Sequence, residues 1–200
     1  MNDIKITKTN NYEYQEIAEF IAEGYFDDQF FKWVVPNDND RMAIVTNYYL
    51  AYLGVVGAVS YIARNTQGTL VGATVWLPHD VDASVYEEID AAAGIYAANF
   101  DEVASKSHAN EPTSGPFFQL VAVVTKKSFQ NQGIGYQLLK HFIDQLDEEN
   151  IATYLEASTP YNGGGVYGKF GYDYFGELMH FAPGITLYPL YRSAGGNAHD

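Results

Sequence analysis

Gln130-Asn131-Gln132-Gly133-Ile134-Gly135 lies between a segment typical of a buried strand and a segment typical of an amphipathic helix. Before it, residues 117–124 (Phe-Phe-Gln-Leu-Val-Ala-Val-Val) form a short apolar run with several β-branched residues, which indicates a strand. After it, the apolar residues recur at helical spacing: Tyr136, Leu139, Phe142, Ile143 and Leu146. The sequence therefore predicts a strand, a glycine-containing turn and a helix that begins at the turn.

A turn of this kind is suited to bind an anion. Gly133 and Gly135 let a ligand approach the backbone closely, and the first N–H groups of a helix have no intrahelical partner. These properties favour a pyrophosphate, although an ordinary strand-to-helix turn explains the hexapeptide equally well. A dinucleotide-binding fold is disfavoured, because the first glycine of G-x-G-x-x-G is missing and the turn is far from the N-terminus.

Two further segments complete a longer pattern. Residues 153–158 (Thr-Tyr-Leu-Glu-Ala-Ser) indicate a second strand, and residues 166–172 read Val-Tyr-Gly-Lys-Phe-Gly-Tyr. In this order the elements resemble the acetyl-CoA-binding half of the GNAT N-acetyltransferases. Outside that half, residues 26–41, 73–78 and 184–192 are similar to the puromycin-acetyltransferase-like branch of the family, so the resemblance covers nearly the whole chain.

The resemblance implies an α/β (α+β) GNAT acyl-CoA N-acyltransferase fold, in which a mixed, largely antiparallel sheet splays near its middle and carries helices on both faces. We expect one domain over residues 1–200, with a helical insertion at 82–107 near the acceptor side and a disordered tail at 194–200. The other predicted strands are 4–8, 56–64, 70–77, 172–181 and 185–191. The other predicted helices are 12–24, 29–33 and 41–53, with a short one around Tyr167.

The resemblance also implies a reaction, the transfer of an acetyl group from acetyl-CoA to a primary amine of a small molecule by direct attack. The residues that it assigns to acetyl-CoA lie on the central strand, in the turn and before the last helix: Val123, Val124, Thr125, Gln130, Asn131, Gln132, Gly133, Ile134, Gly135, Tyr136 and Asn162. The N–H near Val123 would polarise the acetyl carbonyl. Where many relatives have Val-x-Pro, this chain has Thr125-Lys126-Lys127, and the two lysines are candidate phosphate contacts.

Two residues are the expected catalytic groups. Tyr167 matches the tyrosine that gives a proton to the departing coenzyme thiolate, which is general-acid catalysis. Glu156 lies on the second strand beside the expected cleft, where burial would raise its pKa and suit it to act as a general base. His79 and His108 are the alternative bases, since each follows or precedes a strand in a loop.

Composition restricts the partners. A net charge of −14 with only eleven Lys and Arg disfavours nucleic acid and would attract a cationic amine. The five histidines lack paired ligand spacing and there is no cysteine, so we expect no metal. The uncharged stretch 42–63 is divided by two glycines and is interpreted as a buried helix and a strand, not a membrane span. No signal pattern begins the chain, so we expect a cytoplasmic location.

Three questions stay open at the level of sequence. A non-catalytic acyl-CoA-binding module would keep the coenzyme site while Tyr167 and Glu156 merely pack. A protein or peptide N-acetyltransferase would need an open groove in place of a closed acceptor site. A homodimer is compatible with the sequence as well as a monomer.

Overall fold

In the computed structural model, which describes residues 3–81, 91–161 and 163–196, eight strands form one sheet. The strands are β1 Ile4–Lys8, β2 Val59–Asn65, β3 Leu70–Pro78, β4 Phe117–Thr125, β5 Ala152–Ala157, β6 Asp173–Tyr174, β7 Met179–Ala182 and β8 Ile185–Arg192. Their order is β1-β2-β3-β4-β5-β8-β6, and β7 also pairs with β8. The helices are α1 Tyr14–Tyr25, α2 Gln29–Val34, α3 Asp38–Gly54, α4 Ala97–Asn110, α5 Ile134–Glu148 and α6 Gly165–Gly168. Short 3-10 helices occupy Asn11–Glu13, Gly94–Tyr96 and Lys127–Phe129.

The sheet is antiparallel except where β4 and β5 run parallel in its middle. This parallel pair begins at Phe117 opposite Ala152 and ends at Leu120 opposite Leu155. Beyond Leu120, β4 continues to Thr125 paired only with β3, so one backbone edge of β4 leaves the ladder. The sheet is therefore mixed, largely antiparallel and splayed at its centre, as the resemblance implies.

Helices cover both faces of the sheet because each presents an apolar stripe to it. On one face, α5 buries Leu138, Leu139, Phe142, Ile143 and Leu146 at helical spacing. On the other, α1 and α3 pack together against β3 and β4. Complete burial of one such aliphatic or aromatic side chain contributes about 1.5–3 kcal/mol. These two layers hold the splayed part of the sheet between them.

Several boundaries differ from the sequence predictions. The strand expected over 172–181 is two strands, β6 and β7, because Gly176 adopts a φ of 66° between them and an added Cβ there would lie 2.5 Å from Asn110 Oδ1. Of the helical insertion, residues 91–93 and α4 are helical, whereas 82–90 lie outside the described residues. The predicted helix 41–53 begins earlier, at Asp38, because Asn37 accepts a hydrogen bond from Asn39 N–H at 3.0 Å as its N-cap.

The structure describes the C-terminal tail as far as residue 196. Gly195 N–H donates to Asp147 Oδ1 at 2.8 Å, and Arg192 Nη2 donates to Gly196 O at 3.1 Å. The disorder expected over 194–200 stays a prediction. Residues 197–200 lie outside the described part of the chain. The stretch 42–63 divides into α3 and β2 as predicted. Among the described helices, none combines the length and apolar content needed to cross a bilayer.

Candidate active site

The splay between β4 and β5 opens a cavity of about 260 Å³, which we call the central cavity. Its walls come from the free edge of β4, the end of β5, helices α1 to α3 and the short helix α6. Both predicted catalytic residues, Tyr167 and Glu156, line it, together with Val123. Tyr25 and Tyr167, which are 142 positions apart in the chain, both line this cavity because the sheet separates at this point.

Glu156 is held by two hydroxyl groups. Its Oε1 accepts a hydrogen bond from the Tyr154 hydroxyl at 3.0 Å, and its Oε2 accepts one from Ser107 Oγ at 2.8 Å. Burial raises the pKa of Glu156 from 4.5 to about 7, while these two hydrogen bonds act in the opposite direction and the nearby Glu111 adds to the increase. A carboxyl with this pKa exchanges a proton near neutral pH.

A second cavity, of about 420 Å³, adjoins the central cavity on the side of α4, and we call it the lateral cavity. The two share the lining residues Tyr48, Tyr52, Val103, Gln119 and Glu156. Apolar groups such as Leu77 and Phe100 form part of its wall. Its described lining carries three carboxylates, from Asp101, Glu111 and Glu156, and no lysine or arginine. Glu156 therefore stands where the two cavities meet.

Tyr167 occupies the middle of α6, and burial raises the pKa of its hydroxyl from 10.0 to about 12. Its ring contacts the Tyr172 ring edge-on, with centroids 5.8 Å apart. The chain returns just after α6, where Tyr172 N–H donates to Tyr167 O at 3.3 Å. The hydroxyl is therefore protonated at neutral pH.

The glycine turn forms a third concave surface, the turn groove. Gly133 is the N-cap of α5 with a φ of 79°, and the first helical hydrogen bond runs from Gln137 N–H to Gly133 O at 3.0 Å. The N–H groups of Ile134, Gly135 and Tyr136 precede that bond, so they lack intrahelical acceptors. The groove is also lined by Gln130 and Asn131, and it reaches the central cavity through the shared residue Val123.

The lysines near the turn line two different grooves. Lys169 lines the turn groove, and its Nζ lies 5.9 Å from the centroid of the Tyr136 ring. Lys126 and Lys127 line a separate groove on the α1 side of Thr125, which Gln130 also lines. The sequence analysis missed Lys169, although its position two residues after Tyr167 could have indicated it. In place of Val-x-Pro, the 3-10 helix Lys127–Phe129 carries the chain out of the sheet.

The remaining residues expected to bind acetyl-CoA lie in several different environments. The Val124 side chain is buried in the core with α1 and α3, whereas Thr125 lines the turn groove and its carbonyl accepts from Gln130 Nε2 at 3.3 Å. Gln132 Nε2 donates to Ser128 O at 3.4 Å within the turn. Asn162 lies outside the described residues.

The two histidines considered as alternative bases lie in different parts of the structure. His108 lines the lateral cavity, and its Nδ1 lies 3.4 Å from Glu111 Oε2. His79 instead packs against the Phe117 ring at a centroid distance of 5.2 Å. Neither histidine lines the central cavity, whereas Glu156 does.

A family model described as an acetyltransferase (GNAT) domain matches residues 62–191. The chain belongs to the GNAT acetyltransferase family. The matched region holds β4, the glycine turn, β5 and α6, which are the elements around the central cavity and the turn groove. The fold class that the resemblance implied is therefore confirmed, and so is the family. The puromycin-acetyltransferase-like branch stays a prediction.

Solved structures of GNAT-type enzymes share the fold at low sequence identity. A Corynebacterium glutamicum protein described as histone acetyltransferase HPA2 and related acetyltransferase superposes with a TM-score of 0.69 at 20% identity, over 97% of either chain. Arylalkylamine N-acetyltransferase 2 from Aedes aegypti gives 0.66 at 12% identity, over 96% of this chain and 100% of that one. A Drosophila melanogaster polyamine N-acetyltransferase gives 0.57 at 11% identity, over the same shares. None of the curated proteins compared matches the sequence.

Proposed function

We propose that this GNAT acetyltransferase transfers an acetyl group from acetyl-CoA to the primary amine of a small molecule. One observation carries the proposal: three concave surfaces join in a line around two candidate catalytic groups. The turn groove meets the central cavity at Val123, and the central cavity meets the lateral cavity at Glu156. A donor entering from the turn and an acceptor entering from the lateral side would meet beside Tyr167.

The turn groove supplies what the anionic half of acetyl-CoA requires. Free N–H groups at the start of a 15-residue helix stabilise phosphate charge, and Lys169 adds a positive charge on the same groove. The residues proposed to contact the coenzyme are therefore Gln130, Asn131, Gly133, Ile134, Gly135 and Tyr136 in the turn, with Lys169 opposite. Val123 and Thr125 extend this surface toward the central cavity along β4.

Glu156 and Tyr167 have protonation states that suit the reaction. An acceptor amine enters as an ammonium ion, and Glu156 would take a proton from it, directly or through a water molecule. The neutral nitrogen then attacks the thioester carbonyl carbon, the carbon–sulfur bond breaks, and the Tyr167 hydroxyl gives its proton to the departing sulfur. The attacking nitrogen loses its second proton to solvent. Glu156 releases its proton and Tyr167 regains one through solvent, which restores the enzyme, and the products are an acetylated amine and CoA.

The lateral cavity indicates the kind of acceptor. Its three carboxylates favour a cation, and the apolar groups of Leu77, Phe100 and Val103 favour a short hydrocarbon or aromatic body. The arylalkylamine and polyamine N-acetyltransferases that share the fold are named for acceptors with these properties. We therefore place the acceptor among small cationic amines that have an apolar segment.

The N-terminal segment that carries part of the branch resemblance is hydrogen-bonded to the chain just after β5. Within residues 26–33, Asp28 is the N-cap of α2, and its Oδ1 accepts from Phe30 N–H at 2.8 Å. The same carboxylate accepts a hydrogen bond from Ser158 Oγ at 3.0 Å through Oδ2. This bond joins the N-terminal segment to the chain after β5 beside the central cavity. We retain the puromycin-acetyltransferase-like branch, on the sequence resemblance alone, and a single domain over 1–200 as proposals.

The test is thioester consumption with a panel of amines. Purified protein with acetyl-CoA should release CoA steadily with aliphatic diamines and arylalkylamines, and much more slowly with short peptides that carry a free N-terminus. Acetyl-CoA binding without turnover on any amine would identify a non-catalytic binding module. Preference for the peptides would identify a protein N-acetyltransferase.

A pair of variants on α4 tests where the acceptor binds. Ala104→Trp narrows the lateral cavity and should raise the amine KM at least several-fold while leaving acetyl-CoA affinity unchanged. Ala109→Trp makes the same change at an exposed position of the same helix that does not line the described cavity. Equal KM values in the two variants would contradict the lateral cavity as the acceptor site.

A further inference from the structure

The free edge of β4 is contacted by two tyrosine hydroxyls. Tyr25 Oη accepts a hydrogen bond from Val123 N–H at 3.2 Å and donates to Val123 O at 3.3 Å. Two residues earlier, the Tyr49 hydroxyl donates to Val121 O at 3.3 Å. The Tyr25 ring is fixed by a stacked contact with Phe31, at 5.0 Å and 21°. Buried strand edges must satisfy their polar groups, and here side chains do so where β5 has diverged.

Val123 N–H is also the group expected to polarise the acetyl carbonyl. Val123 and its acceptor Tyr25 both line the central cavity, the wall of which includes Glu156 and Tyr167. A thioester carbonyl placed between these two residues gains negative charge as the amine attacks, and a backbone N–H is suited to stabilise it. One N–H group makes one good hydrogen bond at a time, so a carbonyl oxygen and the Tyr25 hydroxyl compete for it.

We propose that the Tyr25 hydroxyl occupies the position of the acyl carbonyl oxygen and that an acyl-CoA thioester displaces it from Val123 N–H on binding. The inference rests on the proposed function. Free CoA has no acyl carbonyl and leaves the hydroxyl in place. Tyr25 is thus a specificity-determining residue that lowers the affinity for acetyl-CoA relative to CoA. Burial raises the pKa of Tyr25, so the hydroxyl keeps the proton that it donates to Val123 O.

Tyr25→Phe tests this directly, because it removes the competing hydroxyl and retains the ring that stacks on Phe31. The dissociation constants for acetyl-CoA and CoA are measured by calorimetry on wild type and variant. We expect acetyl-CoA to bind about two- to tenfold more tightly to the variant, the range expected from one neutral hydrogen bond, and CoA to bind as before. Tyr49→Phe is the matched control, since its hydroxyl contacts Val121 O and not Val123 N–H.

Three results would overturn the inference. An unchanged ratio of the two constants in Tyr25→Phe would show that the hydroxyl does not compete with the acyl group. Weaker acetyl-CoA binding would show that the hydroxyl holds the acyl group instead. An equal change of this ratio in Tyr49→Phe would show that the effect does not come from the hydrogen bond with Val123 N–H. If wild-type protein binds neither ligand, the proposed function fails as well, which separates that outcome from the other three.

Discussion

The Ser107 hydroxyl donates a hydrogen bond of 2.8 Å to Oε2 of Glu156, and this bond joins α4 to β5 across the lateral cavity. It stabilises the ionised carboxylate and so lowers the pKa of Glu156, against the larger effect of burial. The resulting pKa of about 7 is the outcome of opposed effects from separate parts of the chain. A carboxyl with a pKa raised to about 7 can both take up and release a proton near neutral pH.

Removing the Ser107 hydroxyl should therefore raise the pKa of Glu156 further. In Ser107→Ala, the acid limb of the kcat/KM profile for the amine should move to higher pH, by about one pH unit or less for one hydrogen bond. The profile is measured at saturating acetyl-CoA from pH 5.5 to 9. Ser105→Ala makes the same change on the same helix and cavity wall, and serves as the control. If the acid limb of Ser107→Ala stays at the wild-type pH, the base that controls the rate is a group other than Glu156.

Glu156 should also make the stability of the fold depend on pH. Its pKa is about 7 in the folded protein against 4.5 for the ordinary group, so between these values the folded state binds more protons. Its stabilising contribution is full below pH 4.5 and is lost as pH rises through 7. Glutamine does not titrate, so the free energy of unfolding of Glu156→Gln should not carry this loss. Between pH 4.5 and pH 8, the variant should gain up to about 3 kcal/mol relative to wild type, since one pKa unit corresponds to about 1.4 kcal/mol.

Denaturant unfolding of both proteins at pH 4.5 and pH 8 measures this difference. Glu149→Gln makes the same change at an exposed position after α5 and is the matched control. If the stability difference between Glu156→Gln and wild type is the same at both pH values, the pKa of the folded Glu156 carboxyl is not raised.

The sequence could predict those parts of the site that rest on local spacing. The turn at Gly133 is predicted by a strand pattern before it and a helix pattern after it. Tyr167 is singled out as a candidate by the heptapeptide at residues 166–172. The bonds that set the chemistry are not local: Ser107 and Glu156 are 49 positions apart, and Tyr25 and Val123 are 98 apart. Such contacts arise from how α1 and α4 pack against the splayed sheet, which no periodicity of one segment encodes.

The anion site in the turn can be tested at Gly135. An added Cβ there would meet only Thr125 Oγ1 at 3.5 Å, an ordinary contact, so a side chain is tolerated. Gly135→Asp then places a negative charge at the start of α5, where phosphate charge would otherwise be stabilised. We expect acetyl-CoA affinity to fall at least tenfold in Gly135→Asp and markedly less in the isosteric, uncharged Gly135→Asn. Equal losses would indicate a steric effect, and unchanged affinity in the aspartate variant would refute the placement of the phosphates.

Tyr167→Phe should lower kcat while acetyl-CoA affinity and thermal stability change little. The substitution removes one hydroxyl and keeps the ring that packs against Tyr172, so the central cavity retains its shape. General-acid catalysis contributes about 10²–10⁴-fold, and a thiolate is already a fair leaving group, so a loss near the lower end is expected. Tyr188→Phe, on β8 and outside the described lining of the central cavity, makes the same chemical change as a control. Melting temperature, acetyl-CoA affinity and kcat are measured on the same preparations. If Tyr167 only packs, its loss will lower the melting temperature and leave kcat per folded molecule within about twofold of wild type, which the proton-donor role does not allow.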